Sequence, residues 1–337
     1  MKFASIAFDT GAKFIGEDRP GRARVRGYWV RDPARYARSG SLHPGLQYAA
    51  PTALVELDYK RKSFLMTTQA EKAIAFQALH ERAGAFIIPN PYDVGTARLL
   101  AHLGFEALAT TSAGCAFALG QRDYTLTREQ VLAHAAEIVA ATDLPVSADL
   151  EGGFGDDPKT VAETFRQAVA TGLAGGSIED STGRQDNPIY ERQLAVERVR
   201  AAAEVVKALP FPFMLTARCE NYLVGKPDLK DTIARLQAYQ EAGAQVLYAP
   251  GLRTKQDITA VVTSVDRPVN VLMALPGVHF TLAELAELGV KRVSVGSALS
   301  RAALGAFLRA AREMKQGTFT FADEAVPYAE ISAMFEA

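Results

Sequence analysis

Residues 145–156 read Pro145-Val146-Ser147-Ala148-Asp149-Leu150-Glu151-Gly152-Gly153-Phe154-Gly155-Asp156. A short apolar run ends in two acids, passes through a glycine-rich turn, and meets a helix start at Asp157-Pro158. Side chains two apart on a strand share a face, so Asp149 and Glu151 are expected to point the same way at the strand's carboxyl end. Two carboxylates held together repel unless a proton or cation lies between them. A hard divalent ion such as Mg2+ suits oxygen donors of this kind. Two solvated loop acids are the ordinary alternative, and the surrounding chain decides between the two.

Outward from this stretch the same phrase repeats. Apolar, partly β-branched runs predict strands at 85–89, 107–112, 146–151, 176–180, 213–218, 246–249, 269–273 and 292–296. Helical patterns lie between them, at 128–141, 158–171, 190–208 and 229–242 among others, and a last helix is expected over 327–335. Gly104, Gly172, Gly243 and Gly289 each stop a helix just before an apolar strand. Eight strand-helix units in roughly 250 residues predict a (β/α)8 TIM barrel. A doubly wound sheet needs fewer units and usually a G-x-G-x-x-G at its first turn, which this chain lacks.

Composition narrows the function classes. A hydrophobic content of 48% and a charged content of 22% describe an ordinary globular chain of 337 residues. With a net charge of -1, nucleic acid and anionic membranes are not expected partners. No apolar run has the length of a membrane span, and no signal-peptide core opens the chain. Two cysteines, Cys115 and Cys219, make no disulfide framework. A reducing, cytoplasmic setting is the expectation.

Residues 1–65 differ from the rest, with twelve Lys and Arg against six Asp and Glu, which leaves 25 against 32 for residues 66–337. Their arginines sit among Gly, Pro and Ser without an apolar stripe, so the segment is expected to be a poorly ordered extension and 66–337 the barrel domain. Met66 followed by Thr67-Thr68-Gln69-Ala70-Glu71 reads like a natural start with a helix N-cap.

A parallel barrel carries its active site at the carboxyl ends of its strands. Strand two ends in Thr110-Thr111-Ser112-Ala113-Gly114, strand three in Asp149 and Glu151, strand four in Glu179-Asp180, and strand five in Arg218-Cys219-Glu220-Asn221. The loop after strand two adds Arg122-Asp123. Barrel interiors are normally filled by Val, Ile and Leu, so acids and an arginine gathered at one mouth point to chemistry. Carboxylates collect a hard cation. Arg218 offers a planar fork to a substrate carboxylate or to developing negative charge. Ser112 with the N–H groups of Ala113 and Gly114 forms a donor turn for an anionic oxygen.

The set Thr111-Ser112-Ala113-Gly114, Asp123, Asp149-Leu150-Glu151-Gly152-Gly153-Phe154-Gly155, Ile178-Glu179-Asp180 and Ala217-Arg218-Cys219-Glu220-Asn221 resembles the isocitrate lyase/phosphoenolpyruvate mutase superfamily. The resemblance implies Mg2+, with Mn2+ as an alternative, held by Asp149 and Glu151, with Asp123 and Glu179 acting through water. It implies that the Ser112 turn holds the carboxylate of a small anionic substrate and that Arg218, with Glu220 and Asn221 beside it, meets the oxyanion. It further implies homotetramers that exchange C-terminal helices, and reactions that break C–C or P–C bonds through a pyruvate-type enolate.

One feature of the lyases is missing. Their gating loop carries Lys and Cys, whereas residues after Glu179-Asp180 read Ser181-Thr182-Gly183-Arg184-Gln185-Asp186-Asn187-Pro188. True isocitrate or methylisocitrate lysis is therefore not expected. Decarboxylation of a 2-oxo diacid, where solvent can supply the proton, is the favoured expectation. Phosphonate chemistry is the alternative, with Asp123 as phosphoryl acceptor; Asn187, able to touch a phosphoryl group, reads better as a plain turn residue. A phosphosugar aldolase would use the turn at Gly296-Ser297, but strand six has no lysine for a Schiff base. A non-catalytic barrel is hard to reconcile with the retained acids.

Overall fold

The computed structural model describes residues 67–336. The expectations for 1–65, and for Met66 as a start, lie outside the described residues. The chain from Thr67 onward is a (β/α)8 barrel. Its strands are β1 (Phe86–Ile88), β2 (Leu108–Ala109), β3 (Val146–Asp149), β4 (Gly175–Glu179), β5 (Met214–Arg218), β6 (Val246–Tyr248), β7 (Val269–Leu272) and β8 (Arg292–Ser294). All pair in parallel in the order β1-β8-β7-β6-β5-β4-β3-β2. The seam between β1 and β2 is bridged by the Ala109 N–H donating to the Pro89 carbonyl at 3.0 Å and the Asn90 amide donating to the Thr110 carbonyl at 3.0 Å.

Helices α1 (Gln69–Glu81), α2 (Val94–His102), α3 (Ser112–Ala118), α4 (Arg128–Ala140), α5 (Pro158–Ala170), α6 (Arg192–Lys207), α7 (Leu229–Glu241), α8 (Lys255–Thr263), α9 (Leu282–Glu287) and α10 (Ala298–Lys315) pack outside, and α11 (Tyr328–Ala333) follows. Their starts are written in the chain. Thr68, Asp93, Thr127 and Thr281 each accept from the residue three places on, whose side chain reaches back. The apolar layer between strands and helices is fully buried, with Leu108, Leu150, Phe165, Leu215, Tyr239 and Leu247 all at 0% exposure. No helix among the described residues is long and apolar enough to cross a membrane.

Several element ends fall short of the expected ranges, and three of them have a clear local cause. β2 stops before Thr111 because the Thr111 hydroxyl turns to accept from Gly114 N–H, capping α3. β3 stops at Asp149 because Glu151 adopts a left-handed backbone with φ 48°. α6 begins at Arg192 because Tyr190 N–H is held by the Asp180 carbonyl at 2.8 Å.

Candidate active site

The loop after β3 is pinned by one side chain. Arg198, 1% exposed on α6, donates to the carbonyls of Gly152, Gly155 and Asp156. Within that loop Glu151 and Phe154 have φ 48° and 62°, a region costing a non-glycine residue roughly 1–2 kcal/mol. Gly152 has no room for more: a Cβ there would lie 2.9 Å from the Ser181 carbonyl oxygen. The loop is thus wedged between α6 and the segment after β4, which fixes the Glu151 carboxylate.

At the carboxyl ends of the strands a cavity of about 170 Å³ opens into the barrel, lined among others by Ser112, Ala113, Asp123, Asp149 and Arg218. Arg218 is its organiser. Its Nη1 meets Asp149 Oδ1 at 2.9 Å, its Nη2 meets Glu179 Oε2 at 3.1 Å, and its Nε meets Glu220 Oε1 at 2.8 Å. The Tyr248 ring stacks beneath it with the centroid 5.3 Å away. Asp149 also accepts from Ser112 N–H at 3.2 Å and Glu151 N–H at 3.3 Å, while its own N–H donates to the Thr110 hydroxyl at 2.9 Å.

The acids outnumber the cation. Burial raises the Glu151 carboxyl to about 8, with Asp149 and Asp123 adding to the effect. Burial and then the Asp149 charge likewise raise Asp123. Burial, offset in part by Arg218, raises Glu220 to about 7, and Glu179 is raised for the same reason. Glu151 Oε1 is buried with no hydrogen-bond partner among the described residues. An oxygen-only donor set with surplus negative charge and an orphaned carboxylate oxygen fits a hard divalent cation. Among the described residues no three His, Cys, Asp or Glu groups converge closely enough to hold an ion together.

The expected residues separate into three groups. Asp123, Asp149, Arg218, Ser112 and Ala113 share the cavity. Glu151 borders the neighbouring cleft with Tyr124 and Tyr190, not the main cavity. The shared face expected from strand alternation is replaced by the left-handed turn. Glu179 and Glu220, 3% and 1% exposed, support Arg218 from behind. Gly114 spends its N–H on the Thr111 hydroxyl at 3.4 Å. Asn221 is buried away from the cavity, its amide donating to Asp231 at 3.0 Å and Thr232 at 3.1 Å on α7, so its expected contact with substrate is not made.

Other contributors had no role assigned from the sequence. Tyr124, with φ 60°, donates its hydroxyl to Glu179 Oε1 at 2.5 Å. Asp180 binds Tyr239, Arg235 and Glu220 N–H at 2.5, 3.2 and 2.8 Å, which locks the β4 and β5 ends together. Both thiols are buried, and burial pushes Cys115 up to about 12. Arg292 and Asn270 line the cavity at a deeper level, and an arginine inside an apolar strand was the one available signal.

A parallel barrel with acids converging on one guanidinium at its carboxyl mouth defines a class of enzymes that handle small carboxylates. The family model for phosphoenolpyruvate phosphomutase matches residues 76–315. The chain belongs to that family, and with it to the isocitrate lyase/phosphoenolpyruvate mutase superfamily of lyases and mutases acting on small carboxylates. A Mycobacterium tuberculosis protein without assigned function is 33% identical over 262 residues, 77% of this chain and 95% of that one. The 2-methylisocitrate lyase of Escherichia coli is 31% identical over 182 residues, 52% of this chain and 60% of its own. A Burkholderia cenocepacia crystal structure described as a candidate lyase/mutase shares 64% identity with a TM-score of 0.78, covering 80% of this chain and 97% of that one.

The raised Glu151 carboxyl has a measurable result in metal-free protein. The folded state keeps this proton up to about pH 8, while the unfolded chain releases it near pH 4–5. The unfolded state therefore binds fewer protons between those values, and stability falls as pH rises across that window. The expected slope reaches at most roughly 1.4 kcal/mol per pH unit. Urea denaturation between pH 5 and 8 should show this decline without Mg2+ and a flatter profile with it. A metal-free protein that gains stability over the same range would exclude a raised Glu151.

Proposed function

We propose that the protein is a Mg2+-dependent lyase that cleaves a carbon–carbon bond of a small 2-oxo or 2-hydroxy di- or tricarboxylate, releasing a pyruvate-type enolate, with oxaloacetate decarboxylation favoured. The observation that carries this reading is the ion-pair cluster of Arg218 with Asp149, Glu179 and Glu220 beside a cavity lined by Asp123. Asp149, which faces the cavity, would hold Mg2+ directly, with Asp123, Glu151 and Glu179 acting through its waters. Bound Mg2+ would supply Lewis-acid stabilisation of enolate charge.

The chain's own residues supply the rest. Arg218 uses three of its five N–H groups on carboxylates. One N–H on each terminal nitrogen is left for an oxygen that gains negative charge in the transition state. Three fixed partners and the Tyr248 face hold that fork in place before substrate arrives. Ser112 and Ala113, at the start of α3, lie where a substrate carboxylate would rest. No thiol faces the cavity, so solvent is the proton source for the enolate carbon. The second reading, phosphoenolpyruvate mutase-type P–C chemistry, is favoured by Asp123 lining the cavity as a candidate phosphoryl acceptor.

The test is a panel of oxaloacetate, methylisocitrate, isocitrate and phosphonopyruvate, each with Mg2+ and with chelator. Pyruvate formation from oxaloacetate that chelation stops is expected. Conversion of phosphonopyruvate instead would replace this reading with the second.

An oligomer belongs to the same proposal. Of the 18 residues of α10 only Ser300 is buried. Leu304, Phe307 and Leu308 form an i, i+3, i+4 stripe at 40%, 65% and 46% exposure. An apolar helix face this bare calls for cover, and a second copy of the chain is the proposed cover. Light scattering should give a multiple of the 36.3 kDa chain, and Phe307→Asp should shift it toward the monomer. A monomeric wild-type protein would exclude the proposal.

A further inference from the structure

Two arginines line one cavity of the barrel, and their surroundings are opposite. Arg218 at the mouth has three carboxylates. Arg292, 5% exposed and deeper in the barrel, has none. Its Nε donates to Asn270 Oδ1 at 2.9 Å, its Nη2 to the Thr216 hydroxyl at 3.0 Å, and its Nη1 lies 3.5 Å from His80 Nε2. The His80 Nδ1 sits 2.8 Å from the Phe76 carbonyl, so that nitrogen carries the proton and Nε2 accepts. Every partner of Arg292 among the described residues is neutral. One N–H on each terminal nitrogen has no acceptor there, since a guanidinium has five.

Burying an uncompensated charge costs several kcal/mol, and the surroundings register it. Burial pulls Arg292 down to about 10, and burial together with the Arg292 charge pulls His80 down to about 3. Nothing in the packing demands a cation at this place, because β8 is otherwise built of Val293 and small residues. Ser147, Asn270 and Ser294 line the same cavity.

We propose that Arg292 is the receptor for a second carboxylate of the substrate, so that the cavity takes a short dicarboxylate lying along the barrel axis. One carboxylate lies at the level of Asp149, Arg218 and the Ser112 turn, and the other reaches the free N–H pair of Arg292. The separation fits. Arg292 bonds Thr216, and Arg218 is two residues further along β5, about 6–7 Å at the usual strand rise. That spacing of the two levels is on the scale of a four-carbon diacid. The inference rests on the carboxylate-binding reading above and adds which end of the substrate is selected, and by what.

The test is calorimetric titration of the Mg2+-loaded protein with succinate and with butyrate, acids of equal chain length that differ by one carboxylate. Wild type should bind succinate at least about tenfold tighter, in line with a charge-assisted forked contact. Arg292→Met should lower succinate to the butyrate level and leave butyrate unchanged. Asn270→Asp guards against a variant that fails to fold, because it keeps the side-chain shape and places a carboxylate where Arg292 Nε already donates. It should be at least as stable as wild type and should also lose the succinate preference, its own carboxylate having taken the ligand's role. Equal binding of the two acids by wild type, or a preference that survives in folded Asn270→Asp, would overturn the inference while leaving the carboxylate pocket in place. If neither acid binds wild type, the carboxylate-binding reading itself fails.

Discussion

Replacing Arg218 with methionine is expected to cost about 3–5 kcal/mol of stability and to reduce turnover to background. The guanidinium is the shared counter-ion of Asp149, Glu179 and Glu220, and the side chains of the last two are only 1% and 2% exposed. Removing one member of a buried ion pair leaves the other charge desolvated and unpaired, and here two deeply buried carboxylates are orphaned at once. Both must then be neutralised by protons. Burial already makes both weaker acids, and the Arg218 charge is what most opposes it. Without that charge the folded state holds protons that the unfolded state has released at neutral pH. The deficit should therefore grow from pH 5 to pH 8. Urea denaturation at both values measures it. Arg218→Lys should recover part of the stability but not the activity, since an ammonium cannot present the fork. A methionine variant within 1 kcal/mol of wild type at pH 8, by the surface-pair standard, would show that the cluster is not the buried unit described.

Asp149→Asn should remove turnover by at least about 10²–10³-fold and leave the fold intact. Asp149 is the acid that touches both the cavity and Arg218, and it gathers the N–H groups of Ser112 and Glu151. An asparagine keeps the shape and loses the charge that would bind Mg2+. Its side chain is 15% exposed, so the stability cost should stay near 1–2 kcal/mol, the ordinary range for a single substitution. Circular dichroism and a Mg2+ titration separate loss of the ion from loss of the fold. Full activity in this variant would contradict the role assigned to Asp149.

The architecture was legible because local signals agreed. Each of the eight strands lies within its expected range or extends one residue beyond it, at Gly175. Gly104, Gly172, Gly243 and Gly289, read as helix stops, all adopt left-handed backbones with φ between 83° and 109°. Site residues close to a strand end were legible for the same reason. Asp149 and Arg218 could be assigned to one mouth by counting along strands.

What could not be read depends on backbone turns and on contacts far apart in the chain. Glu151 is two residues from Asp149, and alternation would put it on the same face, yet its left-handed φ sends it to the adjoining cleft. Asn221 sits next to Glu220 but is claimed by the first turn of α7 through Asp231 and Thr232. Tyr124 reaches Glu179 across 55 positions, and Arg292 reaches Thr216 across 76. Neither partnership leaves a trace in local sequence. An arginine in an apolar strand looks like a strand-end charge until its neighbours are known.

The acidic mouth, loaded with Mg2+, is proposed to lower the energy of a pyruvate-type enolate. The direct measurement is proton NMR of pyruvate in D2O with the protein. Loss of the methyl signal through deuterium uptake reports the enolate without requiring the true substrate. Exchange should depend on Mg2+, stop with chelator and be absent in Asp149→Asn. Exchange no faster than in buffer alone at saturating Mg2+, from protein that binds both the ion and pyruvate, would contradict it.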